Sequence, residues 1–215
     1  MALAGHYDPW LVALSFVIAA IGSHVALRLA PPWAGRMGAD ERLRVRGVLP
    51  SAVALGVTIW SMHFTGMAAF HIHGTAISYD WAPTVLSLSV AIIFTAIGFA
   101  TLTLLHQPIE ALLLAGIPMG CGILAMHFLG MLAMSGNMTM HFDPPLVVAA
   151  GAIALAASIA ALWMTTLEQR GLSRIGSAVV MAIAICGMHY TGMAAAHFTG
   201  HERSVVEPSD VTTPR

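Results

Sequence analysis

Charged residues are scarce in this chain. Asp, Glu and Arg make up 9% of its 215 residues, where soluble domains carry about a quarter, so an ordinary water-facing globular surface is excluded. Lysine is absent, since all nine basic residues are Arg. The net charge of −1 offers no basic patch for nucleic acid. The two cysteines, Cys121 and Cys186, lie inside long apolar runs without CxxC spacing, so no disulfide framework is implied. HExxH, G-x-S-x-G and P-loop motifs are missing, as is any carboxylate pair within an apolar run. Those absences remove the commonest hydrolase and NTPase chemistries, and no enzymatic activity is expected of these residues.

What the chain has instead is apolar length. Hydrophobic residues make up 58% and mean hydropathy is +0.81. A spanning helix needs roughly 20 mostly apolar residues, and six stretches qualify, at about 10–29, 48–70, 83–105, 109–134, 145–167 and 175–198. The first has no basic segment before it and reads as a retained span. Arg in short loops marks the cytoplasmic side. Arg28, Arg36, Arg42, Arg44, Arg46, Arg170 and Arg174 flank the connections between spans one and two and between spans five and six, while Arg203 and Arg215 lie in the tail. Six spans with those connections inside predict both termini outside. Residues 1–200 then form one membrane domain, and 201–215 a polar tail expected to be disordered.

Internal repetition is the strongest signal. Ser61-Met62-His63-Phe64-Thr65-Gly66-Met67, Ala125-Met126-His127-Phe128-Leu129-Gly130-Met131 and Gly187-Met188-His189-Tyr190-Thr191-Gly192-Met193 share M-H-[FY]-x-G-M. Their histidines are 64 and 62 residues apart, each in the last third of an even-numbered span. A second element opens the odd-numbered spans: His6-Tyr7-Asp8-Pro9, Ser78-Tyr79-Asp80-Trp81-Ala82-Pro83 and His141-Phe142-Asp143-Pro144. Asp there can cap orphan N–H groups, and Pro is tolerated in a first helical turn. Tyr7, Trp10, Tyr79 and Trp81 suit an interfacial aromatic belt. The expected fold is an all-α membrane protein of six transmembrane helices, as three tandem two-helix repeats at about 6–73, 78–137 and 141–199. Because each repeat holds two spans, all three enter with one orientation, around a pseudo-three-fold axis along the membrane normal.

On a helix, positions i, i+3 and i+4 share a face. His63, Gly66 and Met67 thus line one stripe, as do His127, Gly130 and Met131, and His189, Gly192 and Met193. Continued helically, the stripe reaches His71 and His197, with Ser135 in the second copy. Met62, Met126 and Met188 point about 100° away and face either an adjacent helix or the same site from its edge. Nine of the eleven histidines, including His6, His73, His141 and His201, fall on the outer side, while His24 and His106 do not. A single intramembrane His beside Met is commonly a helix–helix hydrogen-bonding residue. Three copies in register, with Met at two positions in each, favour a metal site at the depth where polar groups are costly. Thioether selects Cu(I), while imidazole also suits Cu(II), Zn, Fe and Ni. The candidate ligands are therefore His63, Met67, His127, Met131, His189 and Met193, with Met62, Met126, Met188, His71 and His197 beside them. Cys186 has no counterpart in the other copies, and Met164 and Met181 read as core.

Met188-His189-Tyr190-Thr191 with its two related copies resembles the MHYT family of bacterial membrane sensor domains, over about residues 7–199. The resemblance implies a domain of the bacterial inner membrane whose motif Met and His residues bind copper near the extracytoplasmic face and sense a diatomic gas (O2, CO or NO) or redox state. It also implies an output read elsewhere, by a cytoplasmic module or a separate signalling partner protein. Copper buffering or transport, and haem binding through axial His or Met, are the alternative readings. The former needs ligands continuing inward, where the sequence offers only Cys121, Met119, Met181 and His24.

Overall fold

A computed structural model of the chain describes residues 5–31, 41–72, 77–105, 108–136, 138–167 and 171–200. His73, His106, His201, Arg36, Arg170, Arg203, Arg215 and the tail from 201 lie outside the described residues. Among the described residues, six helices form: α1 (Pro9–Leu29), α2 (Glu41–Ala68), α3 (Trp81–Leu104), α4 (Pro108–Leu132), α5 (Pro144–Thr166) and α6 (Leu172–Ala194). Each contains a stretch long and apolar enough to cross a bilayer. This is a multi-pass membrane protein. Its odd-numbered helices bury small residues at three- and four-residue spacing: Ser15, Ala19, Ser23 and Ala26 on α1, Ser87, Ala91, Thr95 and Gly98 on α3, and Ala150, Ala154 and Ser158 on α5. Small side chains let helices approach where lipid supplies no hydrophobic drive. The opposite faces present Ile21, Val85, Ile93 and Val148 outward, as lipid contact requires.

Each helix packs on its sequence neighbours, and α6 returns to α1, so the ring closes; α2, α4 and α6 also touch one another and occupy the middle. Stepping back four and eight residues from the motif histidines gives Ile59, Ile123 and Ile185, then Leu55, Met119 and Met181. All six are buried in one core cluster. Together they line a cavity of only about 20 Å³. The centre of the bundle is thus an apolar plug on one side of the histidines.

At the other side the structure departs from the expected helices. The spans end at Ala68, Leu132 and Ala194, short of the expected 70, 134 and 198, and the chain continues as strands. β1 (Gly5–Tyr7) pairs with β2 (Phe70–Ile72), β3 (Ser78–Tyr79) with β4 (Met134–Ser135), and β5 (Met138–Phe142) with β6 (Ala196–Gly200), all antiparallel. Every ribbon joins the entrance of an odd-numbered helix to the exit of the helix after it. The Asp8, Asp80 and Asp143 amides donate to Ala69, Ala133 and Ala195 carbonyls, each at 2.8 Å. These bonds satisfy exit carbonyls that a helix end leaves orphaned, which is why extension wins over further helix.

The three aspartates do sit at the N-cap positions, but only Asp8 caps with its side chain, accepting from Trp10 N at 2.8 Å and Leu11 N at 3.4 Å. An N-cap carboxylate bonds the second or third helical N–H. Pro83 removes the third donor after Asp80, and Pro145 the second after Asp143. Asp80 instead accepts from Ser135 Oγ at 2.8 Å, and Asp143 Oδ1 has no partner. Trp10 and Trp81 are exposed at this ribbon-bearing end, in keeping with a belt at the membrane interface.

Candidate metal centre

The three motif histidines, on α2, α4 and α6, meet at the middle of the bundle. His63, His127 and His189 are 1%, 0% and 0% exposed. Their ring centres lie 4.8 Å (63 to 127), 5.0 Å (63 to 189) and 5.3 Å (127 to 189) apart, edge to face. His63 Nδ1 stands 3.0 Å from His189 Nδ1 and 3.2 Å from His127 Nδ1. One nitrogen from each ring falls within 4.8 Å of the others, so the three can hold a metal ion.

The opposite edges of the rings explain the motif glycine. A Cβ at Gly66 would overlap Nε2 of His189, one at Gly130 Nε2 of His63, and one at Gly192 Nε2 of His127. The i+3 glycine of each motif is therefore a notch for the imidazole of another repeat. The motif aromatics reach round the bundle in the same sense as the imidazoles: Phe64 meets Tyr79, Phe128 meets Phe142 and Tyr190 meets Tyr7, with ring centres 5.8, 5.1 and 5.7 Å apart. Each repeat thereby touches both others through equivalent positions.

Hydrogen-bond counting tests whether a metal fits. A neutral imidazole has one N–H and one lone pair. His63 Nδ1 faces two other Nδ1 atoms, and as a single donor or acceptor it can serve only one of them well. The three Nε2 atoms are buried with no partner. An unmet buried polar group costs about 1–3 kcal/mol; a cation shared by the Nδ1 atoms satisfies the crowded inner edge, while the Nε2 edge stays against the glycines with or without it. With the protons on Nε2, three Nδ1 lone pairs converge on one point, which is a ligand set for a cation. The residues fit a metal.

The remaining sequence-named residues fall into layers. Met67, Met131 and Met193 are buried one turn further toward the ribbons, in a cluster with Ile72, Met134 and Phe198. Met62, Met126 and Met188 are buried in the core cluster that contains the apolar plug. His71 and His197 do not continue the helical stripe: they sit on β2 and β6 with exposed side chains, and the triad does not include them. Cys186 is buried and Cys121 exposed, and neither joins the convergent group. Residue patterns did not single out Ser15, whose hydroxyl lies 2.9 Å from that of Tyr190 and ties α1 to α6. They also missed the isoleucine layer, although the four-residue spacing from each His to Ile59, Ile123 and Ile185 was there to be read. Outside the spans, burial and the neighbouring Tyr190 push the Tyr7 hydroxyl up to about 12, and burial raises that of Tyr79. Both phenols stay neutral and serve as packing groups.

Comparison with known proteins gives this geometry a family. The family model described as a bacterial signalling protein N-terminal repeat, MHYT, matches residues 56–115, 120–178 and 183–208. Its units each open within or near a motif helix. The bifunctional diguanylate cyclase/cyclic di-GMP phosphodiesterase MucR of Pseudomonas aeruginosa is 39% identical over 202 residues, covering 91% of this chain and 29% of MucR. The cyclic di-GMP phosphodiesterase NbdA of the same organism is 34% identical over 88% of this chain and 24% of its own length. The signaling protein YkoW of Bacillus subtilis is 32% identical over 89% of this chain and 24% of its own. The chain thus spans less than a third of these relatives. No solved structure matches it. With three repeat matches across most of its length and a relative aligned over nearly all of it, the chain belongs to the MHYT family of bacterial signalling membrane domains.

Proposed function

We propose that this domain is a copper-holding sensor, with one ion taken by the Nδ1 atoms of His63, His127 and His189. The observation that carries the reading is the convergence of three buried Nδ1 atoms with every Nε2 lodged against a glycine notch. Met67, Met131 and Met193 supply thioethers on the ribbon side of the ring, and Met62, Met126 and Met188 line its other edge. Imidazole with thioether is a donor set that favours Cu(I). Bound copper supplies a soft centre with one-electron redox chemistry and affinity for O2, CO or NO.

The residues around it do the rest. The isoleucine layer closes the inner side, so access is from the ribbon end, which we place at the extracytoplasmic face of the inner membrane on the Arg distribution. An apolar plug with a cavity of about 20 Å³ speaks against a copper transporter, whose ligands would have to continue inward. The interlocked repeats are disposed about a pseudo-three-fold axis, and a ligand that prefers one packing of α2, α4 and α6 shifts the bundle toward it. That shift is read by an output module or a separate signalling partner, and the names of MucR and NbdA suggest cyclic di-GMP turnover as the output. The chain itself does no catalysis.

Copper(I)-loaded protein exposed to CO tests the reading. A new CO infrared band, present in the wild type and absent from the His63→Ala/His127→Ala/His189→Ala variant, is the expected result. Copper retained with an unchanged spectrum in that variant would overturn it. A Soret band on purification would point to haem instead.

A further inference from the structure

The ribbons carry a second pattern of histidines that the buried centre does not use. Counted from the N-cap, the residue two before each aspartate is His6, Ser78 or His141. Counted from the exit alanine that accepts the aspartate amide, the residue two after is His71, Ser135 or His197. Strand register sets these directly opposite one another: His6 with His71, Ser78 with Ser135, His141 with His197. All four histidine side chains are exposed.

In the first ribbon the two imidazoles already lie side by side. The two rings stack with centres 5.6 Å apart at 25°, and imidazoles sharing one ion at about 2 Å place their ring centres roughly 5–6 Å apart. His71 Nδ1 lies 3.1 Å from the Ala69 carbonyl and donates to it, which leaves Nε2 as the lone-pair nitrogen. Histidine ligands commonly have their second nitrogen fixed in this way. The Ala69 carbonyl is itself held by the Asp8 amide at 2.8 Å. His71 also lines an open cavity of about 370 Å³ that reaches the buried Met67. The third ribbon repeats the register with His141 and His197, whose Cβ atoms as directly opposed residues stand about 4.5–5.5 Å apart. The second ribbon has two hydroxyls instead, with Ser78 Oγ donating to Ser135 O at 3.2 Å, and lacks imidazole altogether.

We infer that His6 with His71, and His141 with His197, form two exposed two-imidazole sites for a borderline divalent cation such as Cu(II) or Zn(II), distinct from the buried triad. Water completes each coordination shell, so binding is weaker and faster than in the core. The inference does not depend on the triad holding copper.

Cu(II) titration of the full chain in detergent, followed by EPR and by bound metal per chain, tests it. Relative to wild type, His6→Ala/His71→Ala and His141→Ala/His197→Ala each lose one weakly held Cu(II). Each single substitution weakens its own site about a hundredfold, the worth of a second tethered ligand. Ser78→His/Ser135→His gains one ion. These surface changes leave the bundle folded, and the same losses appear in a His63→Ala/His127→Ala/His189→Ala background. Unchanged stoichiometry in either double variant, or a surface EPR signal without coupling to two nitrogens, overturns the assignment.

Discussion

Each motif glycine decides where an imidazole can go. Gly130 lies against His63 Nε2, and a methyl group there displaces the ring from the centre. Gly130→Ala should therefore lower stability by about 1–3 kcal/mol, the usual cost of overpacking, and abolish copper binding; thermal unfolding in detergent and metal analysis check both. Gly187 adjoins the third motif, yet a Cβ there meets nothing within 4 Å, so Gly187→Ala should leave metal content unchanged. Equal damage from the two substitutions would mean that helix flexibility, not the notch, is what glycine provides. The M-H-[FY]-x-G-M pattern identified these residues and set glycine on the histidine stripe. It did not reveal that the approaching group is an imidazole from another repeat, because sequence spacing orders residues on one helix and says nothing of which neighbour fills the gap.

Helices were legible in this chain because bilayer thickness imposes a length of apolar run that no other element needs. The ribbons were not. Phe70–Ile72 and Ala196–Gly200 are short, and their apolar content merges with the spans before them, so the apolar stretches overran the helix ends. The recurrence of aromatic, Asp and Pro at three helix entrances reads as a cap and gives no sign that those segments pair with the helix exits. The same limit hid the seam between α1 and α6, where Tyr190 OH and Ser15 Oγ stand 2.9 Å apart across nearly the whole sequence. Removing that hydroxyl with Tyr190→Phe should cost about 0.5–1.5 kcal/mol while the copper content stays at the wild-type level, since Phe64 and Phe128 hold the equivalent positions in the other repeats. Loss of copper with unchanged stability would instead assign the phenol to the centre.

For the whole molecule, the ring of odd-numbered helices and the central α2, α4 and α6 set the histidine triad between the ribbons on one side and an apolar interior on the other. The proposed topology, argued from the Arg-rich connections, puts the ribbon end outside. In a chain lacking Cys121 and Cys186, Thr139→Cys on β5 should react with a membrane-impermeant thiol reagent added to intact cells. Ser173→Cys, at the start of α6, should react only after lysis. The reverse labelling would invert the topology. The fold class was readable from composition and repetition, since both are properties of the chain as a line. Three motif copies in register imply that the imidazoles share a depth and face one another; that Nδ1 rather than Nε2 turns to the centre needed three dimensions, because His63, His127 and His189 are brought together by packing of segments more than 60 residues apart.

The central claim is that these three histidines jointly hold one metal ion. Copper bound per chain, measured on Cu(I)-loaded protein after removal of weakly held ions, tests it most directly, comparing wild type with His63→Ala, His127→Ala and His189→Ala. One ion in the wild type and close to none in each single variant is the expected result; an ion that survives loss of any one of the three contradicts it.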